Sequence, residues 1–178
     1  MLPESYYEAC RLLEMGKSEE AALQLEAILQ QYGQSCEVCN KLGVANIAMN
    51  QPDKARGCFM AAAGLNPGFA PVLVNLGNLA LEQKEYDAAL DYYQKALEKD
   101  ASYPLAYYNR AIVYKRLGRY SEYLAEIKTY KTYYAQALKD VQKQEYQRLR
   151  NRVSFTEVVR EALRKMVPKR GDIQKQKS

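Results

Sequence analysis

Residues 75–96 read NLGNLALEQKEYDAALDYYQKA, from Asn75 to Ala96, and this stretch decides the fold. Asn75-Leu76-Gly77-Asn78 opens one amphipathic segment. Tyr86 follows a turn, and Ala89, Tyr93 and Ala96 are spaced along a second segment. Small residues at Gly77 and Ala89 let two helices approach closely, and a large residue at Tyr93 fills the gap toward whatever packs next. Such a helical hairpin cannot bury its apolar face alone, so the sequence must supply neighbours of the same design.

It does so at a period of 34 residues, with units beginning at Leu2, Cys36, Ala70 and Pro104. Gly77 recurs as Gly43, and as Ala9 and Ala111 in the outer units. Ala89 recurs as Ala55 and Ala21; Tyr93 as Phe59, Leu25 and Ile127; Ala96 as Ala62, with Ile28 as a larger variant. Pro67 stops a helix after Leu65-Asn66. Gly16 and Gly118 stand where the chain turns between helices, at caps that take a left-handed backbone.

These residues resemble the tetratricopeptide-repeat (TPR) family over residues 2–137, as units 2–35, 36–69, 70–103 and 104–137. The resemblance implies an all-α, right-handed superhelical solenoid of about four helix hairpins. The third unit follows the family pattern almost throughout and the second nearly so. The fourth departs from it, with Tyr123 and Tyr130 where the family prefers alanine, which puts the packing of its helix pair in question.

The C-terminal quarter is of a different character. Residues 138–178 carry twelve Lys and Arg against five Asp and Glu, while residues 1–137 carry fourteen against sixteen. No Pro or Gly interrupts Ser121 to Arg150, and Leu124, Ile127, Tyr134, Leu138, Val141 and Leu149 keep a helical spacing. One long helix is expected to begin as the second helix of unit four and overshoot it. Ser154-Phe155-Thr156-Glu157 has the form of a capping box, opening a helix with Phe155, Val158, Ala162, Leu163 and Met166 on one face. The expectation for 138–167 is a helical extension and a capping helix that covers the open end of the stack. A docking helix for a partner or a second copy is the alternative. Pro168 ends it, and 168–178 reads as a disordered basic tail.

Catalysis finds no candidate residues. The chain has no histidine among its 178 residues, which removes the commonest base and metal ligand at neutral pH. No phosphate-binding glycine loop, nucleophile elbow or zinc-protease motif occurs. Cys36-Glu37-Val38-Cys39 is the most tempting motif. With Ser35 as N-cap, Cys36 falls at a helix N-terminus, where a thiolate is favoured. Yet the βαβ context of a redox pair is missing, and only Cys10 and Cys58 remain as further thiols. The repeat register places Cys39 between helices, so packing accounts for it, and neither metal nor cofactor is expected. No run of about 18 apolar residues spans a bilayer, and the first residues lack the pattern of a signal peptide. A cytoplasmic protein with reduced thiols is the expectation.

Family geometry implies that the first helix of each unit lines a concave groove. Unit one would offer Tyr6, Tyr7, Cys10 and Leu13, and unit two Asn40, Lys41, Val44 and Ile47. Unit three would offer Val74, Asn75, Asn78 and Leu81, and unit four Tyr108, Asn109, Ile112, Lys115 and Arg116. Asn carries a donor and an acceptor and so suits a peptide backbone of any sequence; Asn75 and Asn109 are 34 residues apart and equivalent. TPR co-chaperones that grip a terminal carboxylate use Lys, Asn, Asn, Lys and Arg. The matching positions here are Asn40, Val44, Asn75, Leu105 and Asn109, or one unit earlier Tyr6, Cys10, Lys41, Pro71 and Asn75, so that clamp is not expected. The function expected is an adaptor or scaffold holding a partner polypeptide in the groove. The alternatives are a small chaperone of a secretion or assembly system, and salt-dependent contact of the basic C-terminal region with nucleic acid or an anionic surface.

Overall fold

In the computed structural model, which describes residues 2–152 with side chains through residue 144, the 34-residue period becomes a row of helical hairpins. The helices are α1 (Glu4–Glu14), α2 (Ser18–Tyr32), α3 (Cys36–Ala48), α4 (Pro52–Leu65), α5 (Ala70–Glu82), α6 (Tyr86–Lys99), α7 (Pro104–Arg116) and α8 (Tyr120–Arg152). Among the described residues there is no strand. The chain divides into two compact units, Met1–Tyr134 and Ala135–Ser178. The first is an all-α solenoid in which α1 pairs with α2, α3 with α4 and α5 with α6, while α2–α3, α4–α5 and α6–α7 join successive pairs. The capping helix expected at 154–167 and the basic tail expected at 168–178 lie outside the described residues.

Helix starts follow local chemistry. Ser35 caps α3 through an N–H donated by Val38. Pro52, Pro71 and Pro104 stand in first turns, where a missing N–H costs nothing. After α4 and α6 the chain turns on side chains in equivalent places: Asn66 Oδ1 accepts from Gly68 N at 3.0 Å, and Asp100 Oδ1 from Ser102 N at 2.9 Å.

The turn inside each hairpin requires a left-handed residue, with φ of 77° at Gly16 and 72° at Gly118, as the sequence leads one to expect. In the middle hairpins Asn50 and Lys84 hold the same place at 57° and 62°. All four close the turn alike. Lys84 N, for instance, donates to Leu81 O at 3.0 Å and Glu85 N to Ala80 O at 2.9 Å, a Schellman arrangement.

Packing inside a hairpin is a ring set on a glycine. A Cβ added to Gly77 would stand 2.5 Å from Cε1 of Tyr93, and one added to Gly43 would overlap Phe59 in the same way. Tyr93 therefore closes its own hairpin before it reaches the next unit, whose Ala106 and Val113 share its cluster. Cys36 and Cys39 are core residues beside Phe59 and Leu76.

The fourth hairpin is held differently, because Tyr123 and Tyr130 are too large for a close approach. Tyr107 stacks on Tyr133 with ring centroids 5.4 Å apart, and Tyr108 leans on Tyr130 at 5.2 Å. Arg110 pairs with Glu126 at 2.8 Å, both side chains only 14% exposed, and also reaches Gln94 Oε1 at 2.7 Å.

Candidate functional site

Helices α3, α5 and α7 put their outward faces along one side of the solenoid, and two adjoining cavities open there. The larger, about 620 Å³, is lined by Val44 and Ile47 from α3, by Asn75, Asn78, Leu79, Leu81 and Glu82 from α5, and by Asn109 and Ile112 from α7. Phe59, Asn50 and Pro52 complete it. The second, about 360 Å³, shares Val44, Asn75, Asn78 and Asn109 and adds Asn40, Lys41, Val74, Tyr6, Glu37, Phe69, Pro71, Tyr103 and Leu105.

Of the residues the sequence assigns to the groove, Tyr6, Asn40, Lys41, Val44, Ile47, Val74, Asn75, Asn78, Leu81, Asn109 and Ile112 meet around these cavities. Two of them lie deep: Val74 is 3% and Asn40 7% exposed. Tyr7, Cys10, Leu13, Tyr108, Lys115 and Arg116 line neither cavity, Cys10 and Leu13 packing instead against the core of the first hairpin. Tyr7 sets its ring edge against Tyr6, Tyr108 turns onto Tyr130, and the Lys115 ammonium lies 5.8 Å from the Tyr123 ring. Glu82, Asn50 and Tyr103 are contributors that the reading of one helix face overlooked, since they come from helix ends and turns.

The asparagines are not free side chains. Asn75 Nδ2 donates to Asn40 Oδ1 at 2.8 Å, and Asn109 Nδ2 donates to Asn78 Oδ1 at 2.8 Å. Each bond ties a first helix to the one before it. Tyr93 Oη donates to the same Asn78 Oδ1 at 2.8 Å. Burial, and then the charge of Glu82, push the Tyr93 phenol well above its ordinary range, so it stays protonated and remains a donor. These bonds orient the amides. Asn75 and Asn109 are left with Oδ1 and Asn78 with Nδ2 for another partner: two acceptors in equivalent repeats, with a donor between them. Around them stand Val44, Ile47, Leu81 and Ile112.

The thiols offer no comparable chemistry. Burial pushes the Cys36, Cys39 and Cys58 thiols up, with the charge of Glu37 adding to the rise at Cys36. They are held as neutral groups, against the thiolate that a helix N-terminus by itself would favour at Cys36. Asn46, also buried, spends its Nδ2 on Leu42 O at 2.9 Å and on Cys58 Sγ at 3.6 Å. Among the described residues no group of three or more Cys, Asp or Glu converges as a metal site, and no helix is long and apolar enough to cross a membrane.

Stacked hairpins whose first helices line one groove define a helical-repeat protein. A TPR-repeat model matches residues 77–118 and a tetratricopeptide-repeat model residues 37–69. Tetratricopeptide repeat protein 6 of Homo sapiens is 29% identical over 100 residues, 56% of this chain, and Protein bimA of Emericella nidulans is 34% identical over 67 residues, 38% of this chain. The matched stretches span only 19% and 8% of those two proteins. Among solved structures, a crystal structure of MamA shares the fold at a TM-score of 0.64 and 21% identity, covering 76% of this chain and 79% of that one. PilF of Pseudomonas aeruginosa does so at 0.66 and 21%, covering 72% and 59%. Residues 37–69 and 77–118 of the chain are therefore tetratricopeptide repeats, a repeat whose arrays are in general protein-interaction scaffolds.

Proposed function

We propose that this protein holds an extended segment of a partner polypeptide in the groove formed by α3, α5 and α7. One observation carries the reading: the internal hydrogen bonds leave Asn75 and Asn109 as acceptors and Asn78 as a donor, within a cavity walled by aliphatic side chains. Backbone N–H and C=O groups of a bound segment satisfy the polar row, and its apolar side chains enter the slot between Val44, Ile47, Leu81 and Ile112. Of these, Ile47 is 44% exposed, an apolar surface that a ligand would cover. The role is that of an adaptor or scaffold, and the buried neutral thiols suit a reducing, cytoplasmic setting.

The test is selection of binders from a random peptide library, followed by titration of the selected peptides. Aliphatic residues should be enriched at alternate positions. Val44→Glu and Ile112→Glu, both in half-buried wall positions, should abolish binding while helix content stays the same. Asn75→Ala with Asn109→Ala should weaken binding and also cost about 1 kcal/mol of stability per bond lost between helices. Peptides that bind the two glutamate variants as tightly as the parent would place the functional surface elsewhere.

A further inference from the structure

Among the residues that line the larger groove cavity, Glu82 is the one charged side chain. It is exposed at the last residue of α5, where the negative end of the helix dipole adds to its own charge. Among the described residues it has no ion-pair partner. Arg56 of α4 donates instead to the neighbouring Gln83 Oε1, at 2.6 Å. The carboxylate is felt on the groove floor: after burial, it is what lifts the phenol of Tyr93, whose hydroxyl donates to Asn78 Oδ1. We infer that the segment held in the groove carries a Lys or Arg side chain whose cationic head lies against Glu82. This rests on the reading of the groove as a polypeptide site and names the chemistry of its occupant.

The rest of the lining suits such a side chain from stem to head. The polar atoms left free there are mostly acceptors: Asn75 and Asn109 each offer Oδ1, against one donor from Asn78 Nδ2, and Asn50 contributes one of each kind. Lys and Arg heads are donors only and match that lining, whereas a carboxylate would meet like charge and few donors. Val44, Ile47, Leu81 and Ile112 cover a long aliphatic stem while its head stays at the exposed rim. The adjoining cavity does not offset the preference, since it carries one charge of each sign, Glu37 and Lys41. Charge selection therefore falls to Glu82.

The test uses the aliphatic peptides selected by the protein, each resynthesised with Lys, norleucine or Glu in turn at every position between its apolar anchors. Norleucine keeps the stem of Lys and removes its charge. At one position Lys should bind about fivefold tighter than norleucine at low salt, the scale of one exposed ion pair, and Glu more weakly than either. High salt should shrink the difference. Glu82→Gln should abolish the Lys preference with helix content unchanged, and Glu82→Lys should transfer it to Glu. Glu85→Gln, a change at an exposed carboxylate outside both groove cavities, should leave it intact. Peptides lost on Val44→Glu but indifferent to the guest residue, or a Lys preference that survives Glu82→Gln, overturn this inference and leave the groove reading standing. Peptides that bind the Val44→Glu protein as tightly as the parent overturn the groove reading, and this inference with it.

Discussion

Replacing Gly77 by Ala adds one methyl group to a buried helix, and its effect should reveal how the hairpins close. The new Cβ would lie 2.5 Å from Cε1, 2.9 Å from Cδ1 and 3.0 Å from Cζ of Tyr93. Carbon atoms in good contact sit about 3.5–4.0 Å apart, so the ring must retreat by about an ångström. It has nowhere to go: Tyr93 is fully buried, and its hydroxyl is tied to Asn78. Overpacking of this kind costs about 1–3 kcal/mol, against which the better helix propensity of alanine returns about 1 kcal/mol. A net loss of about 1–2 kcal/mol is expected. Gly57 and Gly64 in α4 are the controls, because a Cβ there meets nothing within 4 Å. The same substitution at either should stabilise by about 0.5–1 kcal/mol. Urea unfolding followed by helical circular dichroism measures all three. Tyr93→Leu gives the cycle a fourth corner: with the ring gone, Gly77→Ala should cost less, by a coupling of about 1 kcal/mol or more. Equal stabilisation by Gly77→Ala and Gly57→Ala would refute the reasoning, since the ring would then not rest on the glycine.

Lys84→Gly should raise the thermal midpoint, by up to about 1 kcal/mol of stability, because a lysine there pays for a left-handed backbone that Gly16 and Gly118 adopt freely; a lower midpoint would refute this. Glu126→Ala leaves Arg110 charged and without its carboxylate in a site 14% exposed, and should cost about 2–4 kcal/mol in urea unfolding. Arg110→Met with Glu126→Leu should cost less than either single change, and equal or larger cost would sink the account. Alkali should destabilise the fold: burial holds the protons of Cys36, Cys39, Tyr93 and Tyr103 above their ordinary ranges. The unfolded chain releases thiol protons from about pH 8.5 and phenol protons from about pH 10, so stability complete below pH 8.5 falls as pH rises through that window. A urea midpoint flat up to about pH 11 would contradict it.

The sequence by itself determined the repeat, because a hairpin closes on the sizes of side chains at set spacings. Gly77 and Gly43, with Tyr93 and Phe59 sixteen places on, are legible as a pattern before any neighbour is known. So are the glycine turns at Gly16 and Gly118 and the helix end before Pro67. Asn50 and Lys84 were not legible as left-handed residues, for neither side chain demands that backbone; the rise of the next helix imposes it. Tertiary structure alone decided the polarity of the groove. Asn75 and Asn109 read as general donors and acceptors, but bonds to Asn40 and Asn78, 35 and 31 residues away, point their amides. The Arg110–Glu126 pair belongs to the same class, one charge on each of two facing helices where bulky tyrosines stand at the alanine positions. Local spacing sets which helices form and how tightly each pair closes. Which way a polar side chain turns depends on atoms that only stacking brings within reach.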